Sequence, residues 1–374
     1  MTKLRIGMLA PLRRSLNPTT TVSRNRIIVD LATGLFKKGH KVTVFASSDS
    51  YIPGIEIVGI SKKGLNFLPP SENPFYTETA YISHEIMEAV IHQDQFDIIH
   101  NHMYPEFLPL LAAHSYTIPV VTTIHAQVTQ ELVMALSDTY KKTHLVCISK
   151  SAQKRLNLPS VVIYNGIDIT LFSKATSIKR SYFLFVGRMS KVKDKSGKFL
   201  DPKGVRDAIM AAERLGEELR IVGNVEDRAF YDTIIAPHLS LKIKFVGEPS
   251  SEQKLKREEI ANLYQNAKAL LFPIHWEEPF GLVMTESMAC GTPVLAYKRG
   301  SVPEIVVDSL TGYTIDPIGG VDGLTEAMKK INSLSTNEYQ KISDNCRMRI
   351  EEEFSAEKMV ENYEKLYRKL IGER

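Results

Sequence analysis

ALLFPIHWEEPFGLVMTESMACGTPVLAY, residues 269–297, carries the reading that decides the fold. The apolar run Ala269–Ile274 has the length and branching of a buried strand, and Pro293–Tyr297 repeats it. Between them, Pro279 suits the first helical position, Gly291 suits the stop, and Pro293 lies just beyond it. A strand, a helix and a second strand within so short a stretch form a βαβ unit, which requires parallel strands.

The same alternation extends in both directions. Toward the C-terminus lies GYTID (Gly312–Asp316); toward the N-terminus lie IKFVGE (Ile243–Glu248), LRIVGN (Leu219–Asn224) and YFLFVGR (Tyr182–Arg188). A first series precedes these: Leu4–Ala10, Lys41–Ala46, Asp97–His102, Pro119–His125, His144–Ser149 and Val161–Asn165. Between its first two members, apolar residues at Ile27, Ile28, Leu31 and Leu35 follow the helical period, and Gly39 stops it. Two series of about six strands predict an α/β chain of two doubly wound, Rossmann-like sheets facing one another, with the site in the cleft between them. Domain bounds are expected at 1–170, 171–354 and 355–374. The last segment is an amphipathic helix with Met359, Tyr363, Leu366, Tyr367 and Leu370 on one face.

Composition narrows the class without choosing a function. A chain of 374 residues, 43% hydrophobic and 24% charged, is that of a globular protein of about two domains, and excludes a disordered, collagen-like or disulfide-scaffold chain. Residues 1–175 hold 17 Lys and Arg against 13 Asp and Glu, which leaves 30 of each in the remainder. That surplus fits a solvated surface or, alternatively, an acidic or membrane-surface acceptor held by the N-terminal half. No apolar run is long enough to span a bilayer and no secretory leader is apparent, so a cytoplasmic protein is expected, with room for peripheral contact at the inner membrane face. Cys147, Cys290 and Cys346 are too far apart for a zinc or redox pair and read as buried thiols. Neither a basic stripe nor a nucleic-acid module is present, and no G-x-G-x-x-G follows the first strand.

The chemistry concentrates where strands end. A helix N-terminus at the carboxyl end of a strand presents free N–H groups and partial positive charge, which suit a phosphate. Gly281 lets a ligand approach that backbone closely. On a regular helix from Pro279, Glu286 would lie about 12 Å along the axis and about 80° around from Glu278. Two acids so separated do not share a proton, but could grip two parts of an extended ligand. Arg188 ends one strand and Lys203 opens a helix, which makes them candidate cations for a diphosphate. His100 and His102 share a strand face, and without a third ligand at metal spacing they read as structural.

The pattern E-P-F-G-L-V-x-x-E-x-M-A-x-G-x-P-V resembles the Glu-x7-Glu signature of family 4 retaining glycosyltransferases, which have the GT-B fold. Further landmarks follow in the family's order over almost the whole chain. They are Gly39–His40, His100-x-His102, His125, Asn165–Asp168, Val186–Arg188, Lys203–Val205, Val222–Gly223, Phe245–Glu248, Ser301–Val306 and Thr311–Tyr313. The resemblance implies transfer of a hexose-type sugar from a nucleoside diphosphate sugar to a hydroxyl acceptor (glycan, lipid-linked or small molecule). It implies that Arg188 and Lys203 bind the diphosphate and that Glu286 takes the ribose hydroxyls. Glu278, with the backbone of Phe280, Gly281, Leu282 and Val283, would hold the sugar and phosphates, and His125 would stand near the reacting sugar. Neither a cofactor nor a metal is expected, since D-x-D is absent and the cations and helix N–H groups suffice.

Two departures from the family stand out. The loop after the first strand, PLRRSLNPTTTVSR, lacks the usual glycine pair, and 14 residues, four of them lysines (Lys191, Lys193, Lys195, Lys198), separate Arg188 from Lys203. The insertion reads as a solvated loop or, alternatively, as a flap or a contact for an anionic acceptor. Two rival functions stay open at this level: a GT-B sugar-nucleotide epimerase, and a non-catalytic nucleotide-sugar-binding protein.

Overall fold

A computed structural model describes residues 2–175, 180–189, 191–247 and 255–372. The chain divides into two compact units, one formed by Met1–Gly166 with Ala356–Arg374 and the other by Ile167–Ser355.

The first unit is built on seven strands: β1 (Arg5–Leu9), β2 (Lys41–Ser47), β3 (Glu56–Ser61), β4 (Ile98–Asn101), β5 (Val120–Ile124), β6 (His144–Cys147) and β7 (Ser160–Val162). All pair in parallel, in the order β3-β2-β1-β4-β5-β6-β7. The order reverses between β1 and β4, where Met8 pairs with His100. The central strands are buried along nearly their whole length because helices cover both faces. Helix Ser23–Lys37 turns its buried Ile27, Ile28, Leu31 and Leu35 to the sheet and ends before Gly39, whose φ of +89° halts it. β3 has no counterpart among the strands read from the sequence. It is an edge strand with half-exposed side chains, and Gly59 breaks its apolar pattern; a Cβ there would meet Ser48 Oγ at 2.2 Å.

The second unit holds β8 (Tyr182–Val186), β9 (Leu219–Val222), β10 (Ile243–Gly247), β11 (Ala267–Phe272), β12 (Val294–Tyr297) and β13 (Gly312–Ile315). These are parallel in the order β10-β9-β8-β11-β12-β13, with the reversal between β8 and β11. Glu248, read as the end of a strand, lies outside the described residues. One core of Phe183, Phe185, Leu219, Ile221, Leu271, Leu295 and their neighbours fills this unit against helices Val205–Leu215 and Gly320–Ser333.

Helix Ala356–Leu370 belongs to the first unit. Met359, Val360, Tyr363 and Tyr367 are its buried face, whereas Leu366 and Leu370 are only half-buried. Val360 sits against Gly34, where a Cβ would approach it to 2.3 Å, so the two helices touch at a glycine. Glu364 joins the contact from the side, accepting from Lys38 at 2.8 Å and from Arg368 at 2.9 Å.

Candidate functional site

Ligands of doubly wound sheets bind beyond the strands' carboxyl ends at the point of reversal. In the second unit that point lies between β8 and β11, and the residues following these two strands hold most of the candidate site. After β11 the chain runs through Pro273 to Gly281 without helical structure, and the helix occupies Leu282–Ala289. It therefore begins three residues later than Pro279 suggested. Gly281 has a φ of +83°, a conformation that ends an incoming right-handed turn and that only glycine adopts freely. Glu278 thus stands in the loop and not on the helix, and the spacing expected for a regular helix from Pro279 does not apply to Glu278 and Glu286.

Backbone contacts fix that loop. Ser301 N–H donates to Glu278 O (3.0 Å), Ser301 Oγ donates to Phe280 O (2.6 Å), and Gly300 N–H donates to the Glu277 carboxylate (2.7 Å). A Cβ on Gly300 would fall 2.3 Å from Glu278 O, so the approach depends on glycine. Phe280 is buried, its ring edge-on to Phe354, while Gly281 and Val283 stay half-buried at the mouth of the helix.

Lys203 arrives from a neighbouring loop. Asp201 accepts from the N–H groups of Gly204 (2.9 Å) and Arg206 (2.8 Å), starting helix Val205–Leu215. Burial nevertheless holds the Asp201 carboxyl above its usual range. Gly204, at φ +77°, lets this loop press on the end of β11, where a Cβ would meet Pro273 O at 1.9 Å. Lys203 Nζ then donates to Glu278 Oε2 at 2.5 Å, and Trp276 Nε1 donates to the same oxygen at 3.0 Å. The ammonium lies 4.8 Å from the Trp276 ring centroid. The two charged side chains are only 18% and 11% exposed.

Arg188 follows β8 and Gly187. Its guanidinium donates to Glu226 at 3.2 Å and is 59% exposed, a loose surface pair. Gly187 lies beside Lys203, since a Cβ on Gly187 would stand 3.4 Å from Lys203 Cβ. Arg188, Lys203 and Glu278 therefore share one region of the unit. Glu286, on the inner side of helix Leu282–Ala289, is 3% exposed and accepts from Tyr264 Oη at 3.0 Å. It is a buried acid and not a solvated one. Beside the loop, His275 donates toward Asp207 (3.2 Å), whose hydrogen bond and charge raise the imidazole above its ordinary value.

The lysine-rich insertion is a short hairpin. Lys193 and Phe199 form an antiparallel bridge, and Asp194 Oδ1 accepts from the N–H groups of Ser196 (2.8 Å) and Lys198 (3.0 Å). Phe199 roots it against Phe230 in the core. In the first unit, the glycine-free loop after β1 is pinned by buried Leu12 and Leu16 and by Arg13, which holds Glu78 through two hydrogen bonds of 2.6 and 3.0 Å.

His125 follows β5 in the first unit and is half-buried; it shares the switch-point region of that sheet with His100 and His102 on β4 and just after it. His102 Nδ1 and His125 Nε2 are 2.8 Å apart, and His102 Nε2 and His100 Nδ1 3.0 Å. Glu106 accepts from Ala126 N–H (3.2 Å) and from Arg24 (2.8 Å) next to this group. Burial and the Arg24 charge push His102 down to about 3 and His125 well below its ordinary value. Among the described residues no group of three His, Cys, Asp or Glu is placed to hold a metal, and no helix is long and apolar enough to cross a membrane. All three cysteines are buried free thiols.

Residues that the sequence reading did not single out include Trp276, Asp201, Tyr264, Glu226 and Gly300, while Ser301 entered it only as the start of a family landmark and not as a clamp on the loop. Trp276 offered a signal, being the one tryptophan in the chain and lying within the loop itself.

Comparison with known proteins places this geometry in a family. The model for glycosyl transferases group 1 matches residues 168–349, and that for Glycosyltransferase Family 4 matches residues 25–171. A glycogen synthase of Mycobacterium tuberculosis is 26% identical, over 84% of this chain and 83% of its own length. A phosphatidyl-myo-inositol mannosyltransferase of Mycolicibacterium smegmatis is 23% identical, over 87% and 84%. Among solved structures, sucrose-phosphate synthase from Thermosynechococcus elongatus superposes with a TM-score of 0.78 at 18% identity, covering 98% of this chain and 99% of that one. HepE of Anabaena, solved with UDP and glucose, gives 0.70 at 17% identity, covering 97% and 99%. The fold is the two-domain α/β GT-B fold.

Proposed function

The chain belongs to the family 4 glycosyltransferases, and from that premise we propose that it moves a hexose-type sugar from a nucleoside diphosphate donor to a hydroxyl acceptor, with retention at the anomeric carbon and without a metal ion. Relatives named for sugar transfer, and the HepE structure with UDP and glucose, support a donor of this class. Breaking the anomeric C–O bond leaves positive charge on the sugar and a growing negative charge on the departing diphosphate. One observation carries the reading: Lys203, 2.5 Å from Glu278, stands with Arg188 in the region where helix Leu282–Ala289 begins. A fixed ammonium, a guanidinium within reach and the free N–H groups of a helix start meet that developing charge.

The carboxylates play supporting parts. Glu278 is engaged by an ammonium and an indole N–H on one oxygen, which suits a positioning acid and makes it a poor nucleophile. Glu286, oriented by Tyr264, is assigned to the ribose hydroxyls, and the backbone of Phe280–Val283 to the sugar and phosphates. Retention then proceeds by front-face attack, with a donor phosphate oxygen taking the acceptor's proton. His125, which the family resemblance sets near the reacting sugar, is assigned to a hydroxyl of that sugar.

A thermal-shift screen of UDP-, GDP- and ADP-hexoses tests the donor. The true donor at 100 times its dissociation constant stabilises by about 2.7 kcal/mol. The anomeric configuration of the transfer product, read by NMR, tests retention. If no nucleotide sugar shifts the melting temperature, or the product is inverted, the reading fails.

A further inference from the structure

The loop that carries Glu278 and the segment that carries Lys203 are joined by their side chains twice. At one end Lys203 Nζ donates to Glu278 Oε2 (2.5 Å). At the other, His275 Nε2 lies 3.2 Å from Oδ2 of Asp207, in the first turn of helix Val205–Leu215. The same oxygen accepts from Tyr297 Oη at 2.7 Å, and Tyr297 is wholly buried at the end of β12. The His275 and Tyr297 rings also meet edge-on, their centroids 5.6 Å apart. Backbone reinforces the join, since His275 N–H donates to Pro202 O at 2.9 Å. Asp207 thus ties the helix that follows Lys203 to β12 and to the loop of Trp276 and Glu278.

One of the two joins carries a charge that titrates. A carboxylate oxygen faces His275 Nε2, so this nitrogen keeps its proton in either state of the ring; a bare nitrogen would set a lone pair against it. The proton that comes and goes is therefore the one on Nδ1. With it the contact is a charge-assisted hydrogen bond, and without it a weaker bond from a neutral ring. Asp207 on the helix and Asp201 ahead of it favour the imidazolium, while Arg299, after β12, opposes it. The hydrogen bond to Asp207 outweighs burial and holds the imidazole above its ordinary value. Burial opposes ionisation of Asp207, but the bonds from His275 and Tyr297, with the charges of His275 and Arg206, hold it below its usual range. Because the folded value of His275 lies above the unfolded one, the extra hold is complete below the ordinary histidine range. It fades as pH rises through the raised value.

We propose that Asp207 and His275 are positioning residues that pin the loop of Trp276 and Glu278 to the segment of Lys203, more firmly when His275 is charged. The pin acts in the ligand-free protein. Its consequence for the reaction rests on the assignment of Lys203 to the diphosphate and deepens it: the donor meets Lys203 and Glu278 in register while His275 holds its second proton. The His275 side chain is 43% exposed, so the change in donor affinity is modest, about threefold.

Trp276 is the one tryptophan of the chain, and its indole N–H donates to Glu278 (3.0 Å), so its fluorescence reports on this loop alone. Quenching by acrylamide, which is uncharged, reads the exposure of the indole and not the charge beside it. In the ligand-free full chain quenching is expected to rise in one step between about pH 5.5 and 8.5, with its midpoint above the ordinary histidine value. His275→Gln keeps a donor for Asp207 without a titrating charge and is expected to abolish the step. Asp207→Asn is expected to move the midpoint down toward the ordinary value. A flat profile in wild type, which involves no variant, overturns the proposal, and so does the same step in His275→Gln. Calorimetric titration with the hexose donor selected by the melting screen, whose diphosphate diester does not titrate in this range, is expected to show Kd rising about threefold over the step in wild type and not in His275→Gln. A donor affinity that ignores the step also overturns the proposal. Quenching that follows His275 in a chain that binds no nucleotide sugar would sink the proposed function and leave the pin standing.

Discussion

Replacing Lys203 by methionine keeps the length of the side chain and removes its charge. Glu278 then retains the Trp276 N–H but loses the cation at 2.5 Å, while its side chain stays 11% exposed. Breaking a fully buried pair from one side typically destabilises by about 3–5 kcal/mol. The residual exposure and the remaining indole bond bring the expectation here to about 2–3 kcal/mol, or roughly 5–10 °C in melting temperature for a unit of this size. Loss of a fixed cation from the leaving group should separately lower kcat by about 10²–10³. Lys203→Met combined with Glu278→Gln separates the two effects. An amide needs no counter-charge, so melting should return to within about 1 kcal/mol of wild type while turnover stays low. Thermal unfolding and initial rates at saturating donor read both quantities on the same preparations. Recovery of turnover along with stability in the double variant would show that the pair is purely structural. Melting of the single variant at the wild-type temperature would show that no buried ion pair exists.

Activity should persist in excess EDTA, because Arg188, Lys203 and the helix start are assigned the role a divalent cation would fill; its abolition by chelator refutes that assignment. Glu364 supplies a pH dependence. Burial opposes its ionisation, but hydrogen bonds from Lys38 and Arg368 with the charges of Lys38 and His40 override this and hold it at about 2. Its folded value lies below its unfolded one, so its contribution is complete above the ordinary carboxylate range and fades as pH falls toward 2. The stability difference between wild type and Glu364→Gln, followed by urea unfolding against pH, should shrink over that window, and a constant difference would contradict it. Changing Lys191, Lys195 and Lys198 together to glutamine should leave melting and donor KM unchanged, since all three are exposed on the hairpin. A rise in KM confined to acidic acceptors and erased by salt would instead place the hairpin on the acceptor.

The alternating architecture was legible because central parallel strands are buried on both faces and stand out as unbroken apolar runs, as in Tyr182–Val186. β3 escaped the same reading because an edge strand buries only one side and Gly59 interrupts it. The start of helix Leu282–Ala289 was misplaced because Pro279 and Gly281 give opposite local signals. Proline permits a first turn, and a glycine two residues on permits its end; the choice was made by the Gly300–Ser301 loop, distant in sequence, which binds the backbone at Glu278 and Phe280. His100, His102 and His125 were visible as strand-end residues. That they touch follows from the pairing of β4 with β5, Asn101 opposite Thr122, which no local pattern encodes. His100 also meets Tyr367 Oη, 2.6 Å from its Nδ1 and 267 residues along the chain.

The two cations assigned to the leaving group are held very differently, and that difference bears on how a donor would be taken up. Lys203 is fixed by Glu278 and sheltered by Trp276, so its position is set before any ligand arrives. Arg188 is mostly exposed and, among the described residues, pairs with Glu226, itself 29% exposed; a surface pair of this kind is worth about 0–1 kcal/mol. Exchanging Glu226 for a diphosphate therefore gives up little, and a guanidinium can take two phosphate oxygens at once. Lys203 cannot turn away from Glu278 so cheaply, since that would leave a sheltered carboxylate without its cation. A diphosphate must come to Lys203, whereas Arg188 can come to the diphosphate. On this account Glu226→Gln, which frees Arg188, tightens donor binding without altering kcat, while Arg188→Lys weakens it by forfeiting the paired contact. Direct titration of the donor by calorimetry measures both. Weaker binding in Glu226→Gln would mean that Glu226 positions Arg188 for the ligand and does not compete for it.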